Sequence, residues 1–415
     1  MIILDAMFRR FVRNGTVEII DAYGKPHSYG GGAGPFVRIR LHDPKLHLAL
    51  ALNPELRVGE AWMDGTLTIE EGSLREFLII FATNRSHLRG QPLQKAVRRT
   101  TKRLRRMFQR NSLVKSRANA EHHYDLSNDL YRLFLDADMN YSCGYFRAPS
   151  DSLEVAQQNK LRHIAAKLDP RPGQRVLDIG CGWGGMALYL ARHHDVEVLG
   201  VTLSAEQQQL ARERARERGL DHKVRFELCD YRDVTGSFDR IVSIGMFEHV
   251  GVPYYGAFFG KLGNLLTEEG SALLHAIGRK GGPGSTGAWI RKYIFPGGYS
   301  PALSETFAAI EKSGLWVTDT EIWRLHYAET LAAWHTRFEA NRDRIEAMLG
   351  TRFCRMWEFY LLASQFTFRY GNHMVFQIQL AKTVDAVPLQ RDYMFHNELD
   401  LPIPADAAAA GGLAG

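Results

Sequence analysis

VLDIGCGWGG, running from Val176 to Gly185, is the stretch on which the reading of the fold turns. A short apolar strand carrying Asp178 leads into Gly180, Gly182 and Gly184. Glycines at that spacing permit a tight turn in which the backbone approaches a ligand closely before a helix begins at about Met186. Outward from this loop, apolar runs of strand length occur at Arg175 to Ile179, Val196 to Thr202, Val224 to Leu228, Phe238 to Ile244 and Ser271 to Ala276, with helical sequence between most of them. Such alternation predicts an α/β domain on a doubly wound, mostly parallel sheet. After Ile277 comes GRKGGPGSTGAWIRKYIFPGGYS, too rich in glycine and aromatics for a plain linker, and helical sequence is expected from Ala328 to about Lys382.

The 415 residues carry 52 Lys plus Arg against 46 Asp plus Glu, a net +6, with 45% hydrophobic residues. A disordered or collagen-like chain is excluded. The charge is concentrated: Phe77 to Ala120 holds 12 basic residues and no acidic one, leaving 40 basic and 46 acidic elsewhere. From Gln91 to Arg110 the apolar residues Leu93, Val97, Leu104, Met107 and Phe108 fall at roughly helical spacing among the cations, which predicts a basic amphipathic helix and an anionic partner such as a membrane surface or nucleic acid. The domains expected are a small α+β unit over 1–84, a basic linker helix over 85–117, a catalytic α/β domain over 118–390 and a tail over 391–415 whose ADAAAAGGLAG end has nothing to pack. Four scattered cysteines without a CxxC pair support neither a zinc ribbon nor a disulfide framework, and no metal is expected. The N-terminal MIILDAMFRRFVRNG lacks the continuous apolar core of a signal peptide, and no apolar run approaches membrane-spanning length. A cytoplasmic protein that touches a membrane without crossing it is the expectation.

The glycine loop differs from a dinucleotide site, because the second strand ends VTLSAEQ, with no carboxylate before Glu206 to hold a ribose. Preceded by Asp178, it resembles the S-adenosylmethionine loop of the Rossmann-type methyltransferases. Further motifs follow in one order: HYDLSNDLYRLFLDADMNYSCGYF (His123 to Phe146), DYRDVTGSFDRIVSIGMFEHVG (Asp230 to Gly251), LLHAIG (Leu273 to Gly278), WIRKYIFPGG (Trp289 to Gly298) and HYAETLAAW (His326 to Trp334). Together they resemble the cyclopropane-fatty-acyl-phospholipid synthases and their mycolic acid relatives over roughly residues 115 to 385. Residues 1 to 110, including GEAWMDG at Gly59 to Gly65, are similar to the extra N-terminal domain of the phospholipid-acting members.

The resemblance implies a class I methyltransferase fold. It also implies that S-adenosylmethionine is held by Tyr141 and Ser142, by Gly180 and Gly182, by Thr202, Leu203 and Gln207, and by Tyr231 and Arg232; the loop's Asp178 and Gly184 belong with them. It implies further that a bicarbonate ion is held by Cys143, Glu248, His275, the backbone of Ile277 and Tyr327, and that the enzyme is a homodimer. The chemistry explains why protonic groups are needed. Methyl transfer to an alkene leaves a carbocation, and loss of a proton from the new methyl closes a cyclopropane. A carboxylate beside an anion is unfavourable, so Glu248 either meets a bicarbonate hydroxyl or holds His275. Taken singly, each residue has a plainer reading: Cys143 as core packing, Glu248 with His249 as a loop pair, Tyr327 as a surface aromatic, and most of the 16 histidines as solvated or structural.

The expected substrate is an unsaturated acyl chain of a membrane phospholipid, with the basic helix and the N-terminal amphipathic segment (Leu4, Met7, Phe8, Phe11) resting on anionic headgroups. Competing readings are a methylene- or methyl-branched product, a small-molecule N-methyltransferase, whose amine nucleophile would not need the bicarbonate set, and a non-catalytic lipid-binding protein. Nucleic acid is not expected, since no base-stacking motif accompanies the basic run.

Overall fold

The computed structural model describes residues 1–90 and 127–400. The expected basic helix at 91–110 and the end of the tail lie outside them. The chain divides into two compact units. One combines the described part of Met1–Phe108 with Ser285–Pro296 and Trp334–Asn372, and the other takes most of the remainder. Two segments within the expected catalytic stretch over 118–390, Ser285–Pro296 and Trp334–Asn372, thus group with the N-terminal sheet. Their aromatics are the physical reason: Trp289 and Phe359 stack with ring centroids 4.7 Å apart, and both are buried within the first unit.

That unit contains strands β1 (Thr16–Ile20), β2 (Pro26–Gly30), β3 (Phe36–Leu41) and β4 (Leu67–Glu71), in the order β2-β1-β3-β4. The helix Ile2–Phe11 buries Leu4, Met7, Phe8 and Phe11, where Phe11 and Phe77 each lie 4.8 Å from Phe81. The apolar face read as membrane-facing is thus spent on the core. In GEAWMDG, Gly59 is glycine because a Cβ would collide with the Trp289 ring, and buried Glu60 accepts hydrogen bonds from Lys292 Nζ (2.6 Å) and Tyr293 OH (2.9 Å). Two motifs more than 200 residues apart in sequence are one packing contact.

The second unit carries β5 (Arg175–Ile179), β6 (Glu197–Thr202), β7 (Val224–Leu228), β8 (Phe238–Ile244), β9 (Leu266–Arg279), β10 (Trp316–Trp323) and β11 (His373–Ala381), in the order β10-β11-β9-β8-β5-β6-β7. The neighbours from β9 to β7 pair in parallel and β11 pairs antiparallel with both β9 and β10, so the sheet is doubly wound and mostly parallel, as expected. Its centre is dry on both faces: Leu177 packs with the aromatics of the helix Tyr255–Leu265, and Val176 with the helices Leu153–Leu168 and Gly185–His194. The expectation of helix from Ala328 to Lys382 is corrected. The last helix of that stretch ends at Arg369, the chain turns at Gly371 where a Cβ would meet Thr367 O, and VFQIQLA becomes β11. Its period-two alternation of glutamine and aliphatic residues fits a strand. Among the described residues no helix is long and apolar enough to cross a membrane.

Candidate active site

The parallel strands deliver their C-terminal ends to one edge, where loops rather than ladder partners surround the chain. At the end of β5, Gly180 and Gly182 adopt φ of 81° and 54°, and Gly180 donates its N–H to Val201 O (2.9 Å). A Cβ on Gly180 would lie 2.8 Å from Met246 Cβ, whereas one on Gly182 would meet nothing within 4 Å. A cavity opens there. From the sequence expectation, Tyr141, Ser142, Asp178, Gly180 and Gly182 line it, as do Thr202, Leu203, Gln207, Tyr231 and Arg232. Gly184 is not in its wall; at φ 83° it packs on Phe226, which a Cβ would approach to 2.6 Å.

Asp178 is 2% exposed, and its Oδ2 has no hydrogen-bond partner. Burial pushes its carboxyl up to about 7, with the Lys160 ammonium opposing. Lys160 is one wall residue that sequence reasoning missed. The helix Leu153–Leu168, capped by Ser152 accepting from Val155 N, carries it inward. Only 1% exposed, it donates from Nζ to Asn140 Oδ1 (2.9 Å) and Ser142 Oγ (3.0 Å). Burial lowers it to about 8 against the opposing pull of Asp136, Cys143, Asp138 and Asp178. Also in the wall, Thr202 Oγ1 donates to Gln207 Oε1 (2.9 Å), and Arg232 grips Asp230 through Nε (2.8 Å) and Nη2 (2.7 Å). The Arg232 charge is therefore already partnered.

None of the expected protonic residues lines this cavity, and Cys143, Glu248 and His275 are next to residues that do. Cys143 follows the wall residue Ser142, and Glu248 lies between the wall residues Met246 and His249. Beyond Ile244, where β8 stops pairing with β9, the Ile277 N–H has no ladder partner on that side; Glu248 Oε1 accepts it at 2.6 Å. Glu248 Oε2 is buried without a partner, and burial raises the carboxyl to about 7 against that N–H bond. His275 Nδ1 pairs with Gln377 Nε2 at 3.1 Å, so Gln377 and not Glu248 holds the ring. Burial, then the Lys160 and Lys167 charges, push His275 down to about 3, and it is neutral near pH 7.

Cys143 is a thiol, raised by burial against Lys160 and Thr330, and it donates to Gly144 O (3.3 Å). It is not a thiolate nucleophile. Gly144 N–H donates to Thr330 Oγ1 (2.9 Å), and Thr330 is one turn along the helix from the mostly buried Tyr327. Trp323 connects the two halves of the set, its ring edge-on to His275 (5.0 Å) and 5.6 Å from His326. The set is dry, neutral at Cys143 and His275, and contains one carboxyl that titrates near neutrality.

A family model described as mycolic acid cyclopropane synthetase matches residues 111–378. The chain belongs to that family. It is 44% identical over 280 residues to the cyclopropane-fatty-acyl-phospholipid synthase of Escherichia coli K12, covering 68% of this chain and 72% of the relative. It is 37% identical over 362 residues to a probable fatty acid methyltransferase of Pseudomonas putida, covering 85% and 88%. The solved structure of the mycolic acid cyclopropane synthase CmaA1 complexed with SAH and CTAB superposes at TM-score 0.60 with 33% identity, covering 64% of this chain and 97% of that one. As a member of this synthetase family, the chain is an S-adenosylmethionine-dependent methyltransferase of class I fold.

Two residues of this family member's site escaped the sequence reading for different reasons. The alternation in VFQIQLA marked Gln377 as a strand residue, had it been weighed against the helical reading. Lys160 has no local signal, because only the packed helix shows that its ammonium faces inward.

Proposed function

We propose that this methyltransferase adds one carbon from S-adenosylmethionine across a cis double bond of an unsaturated acyl chain in a membrane phospholipid, giving a cyclopropane. What supports the reading is that Cys143, Glu248 and His275 are buried next to residues that line the cavity, with Cys143 and His275 neutral and Glu248 titrating near pH 7. An amine substrate would carry its own nucleophile and need no such set. An alkene leaves a cationic carbon, and one proton must then be lost.

For the cofactor, the unpartnered Asp178 Oδ2 suits a cationic amino group, and Gly180 and Gly182 admit close approach of the backbone. Bound there, S-adenosylmethionine supplies an electrophilic methyl. For bicarbonate, the unpartnered Glu248 Oε2 is the fitting feature. Protonated, it donates to an anion; ionised, it accepts from a bicarbonate hydroxyl. Cys143, His275 and Tyr327 complete the set, while the Ile277 N–H, committed to Glu248, positions that carboxyl. Bicarbonate, when held there, supplies the base for the departing proton.

Incubation with unsaturated phospholipid vesicles, bicarbonate and methyl-labelled S-adenosylmethionine should add one CH2 per modified chain, with high-field cyclopropyl proton resonances. The same mass gain without those resonances would move the product to a methylene-branched chain or a methyl-branched chain that keeps a double bond, the reading favoured by the name of the Pseudomonas putida relative. No mass gain would sink the proposal.

The substrate's double bond lies within the bilayer, and the basic stretch is proposed to hold the protein on anionic headgroups. Changing Arg98, Arg99, Lys102, Arg103, Arg105 and Arg106 to Gln should weaken vesicle binding at least about tenfold, at roughly 1 kcal/mol per cation near an anionic surface. Unchanged sedimentation with anionic vesicles would refute it.

A further inference from the structure

Two glutamines of β11 face the helix Leu153–Leu168 and meet Lys167 in different ways. Gln379 Nε2 donates to Lys167 O (2.6 Å) and to Tyr393 OH (2.7 Å), while its Oε1 accepts from Thr318 Oγ1 (2.8 Å), so the Lys167 main chain is tied to the sheet. Gln377 Oε1 accepts from Lys167 Nζ (2.8 Å), and its Nε2 lies 3.1 Å from His275 Nδ1.

The two ends of a primary amide have the same shape, so its partners decide which way round it sits. A lysine ammonium only donates. Gln377 must therefore turn its oxygen to Lys167 and its NH2 to His275. An NH2 group cannot accept, so His275 Nδ1 must present its lone pair. In a neutral ring, the proton is then on Nε2. The reversed amide would put NH2 against ammonium and an oxygen against a bare nitrogen, all without water, since Gln377, Lys167 and His275 are 1%, 3% and 2% exposed.

The anchor is itself held. Lys167 pairs with Glu321, which also accepts from His163 Nε2 (2.7 Å), and His163 Nδ1 pairs with Glu398 Oε2 (2.8 Å). Against burial, the bonds from His163 and the Lys167 charge keep Glu321 well below the usual carboxylate range, so it serves as a fixed acceptor.

We propose that Lys167 and Gln377 are positioning residues that lock His275 in its Nε2–H tautomer. The ring then enters the proton-removal step as a hydrogen-bond donor and not as the base. This role rests on the function proposed above; the tautomer does not.

The test uses the full chain labelled with 15N-histidine, with two-bond nitrogen–proton spectra and the His275→Asn spectrum to assign the signal. The wild type should show Nε2–H, and an Nδ1–H ring there overturns the proposal without any variant having to fold. In Gln377→Glu the carboxylate has no N–H to give, so Nδ1 should gain a proton, and turnover should fall about 100-fold with little change in cofactor KM. Lys167→Arg, another pure donor, should keep the wild-type tautomer. Lys167→Met should release the amide and give a mixture; a pure Nε2–H ring in that variant removes Lys167 from the role and overturns the pair. A tautomer that moves with unchanged turnover supports the positioning pair and takes His275 out of the catalytic step.

Discussion

Glu248→Gln is expected to lower turnover by about 10²- to 10³-fold while leaving cofactor affinity unchanged and making the fold more stable above neutral pH. The amide oxygen of glutamine still accepts the Ile277 N–H, so the contact at the end of β8 survives. What is lost is a carboxyl able to hold or release a proton near pH 7. The stability change follows from the same shift. Burial raises the folded carboxyl from 4.5 to about 7, so unfolded chains ionise it first as pH rises. The stability associated with the neutral carboxyl is complete below about pH 4.5 and is lost as pH climbs to about 7, a total on the order of 3 kcal/mol. Glutamine does not titrate, so the gap between variant and wild type should open across that window. Urea unfolding at pH 5 and pH 8, with turnover under saturating cofactor, checks both halves. Equal loss of turnover and cofactor binding would remove Glu248 from proton removal, and a pH-independent stability gap would contradict its buried, raised carboxyl.

Asp178→Asn should act on the other half of the reaction. Asp178 lines the cavity and its buried Oδ2 has no partner, so a charge-assisted bond to a cationic group would be strong there. Loss of such a bond, about 2 to 3 kcal/mol, corresponds to roughly 30- to 150-fold weaker binding. Calorimetry with S-adenosylhomocysteine is the appropriate readout, because that product keeps the amino group and lacks the sulfonium. Turnover at saturating cofactor should change little. In the wild type, affinity should fall as pH drops through about 7 and the carboxylate protonates. If S-adenosylhomocysteine binds the variant as well as the wild type, Asp178 holds no cationic group. The two substitutions separate binding from chemistry: one moves Kd and the other kcat.

The loop and the central strands were legible in the sequence because their causes are local. β5, β7 and β8 begin and end where expected, because β5 and β8 are buried along most of their length and the edge strand β7 alternates apolar and polar residues. Gly180, Gly182 and Gly184 could be singled out because a positive φ or a close approach excludes a side chain whatever lies elsewhere in the fold. The motifs around Cys143, Glu248, His275 and Tyr327 were also readable by resemblance, though not what each group touches.

Tertiary structure decided the rest. Hydrophobic periodicity marks an apolar face but not what covers it: Leu4, Met7, Phe8 and Phe11 are buried in the core, Phe8 and Phe11 against Phe81, where a membrane was expected. Glu248 meets the Ile277 N–H across 29 residues, and Gln377 meets His275 across 102, because β9 outruns β8 on one side and pairs with β11 on the other. Strand register, a long-range property of backbone hydrogen bonding, thus selects the protonation states and donor directions of the site. Lys160 and Asp178 likewise depart from ordinary titration only once packing removes water. Residue types, glycine positions and strand composition were determined along the chain; desolvation and partner choice arise when distant segments close on one another.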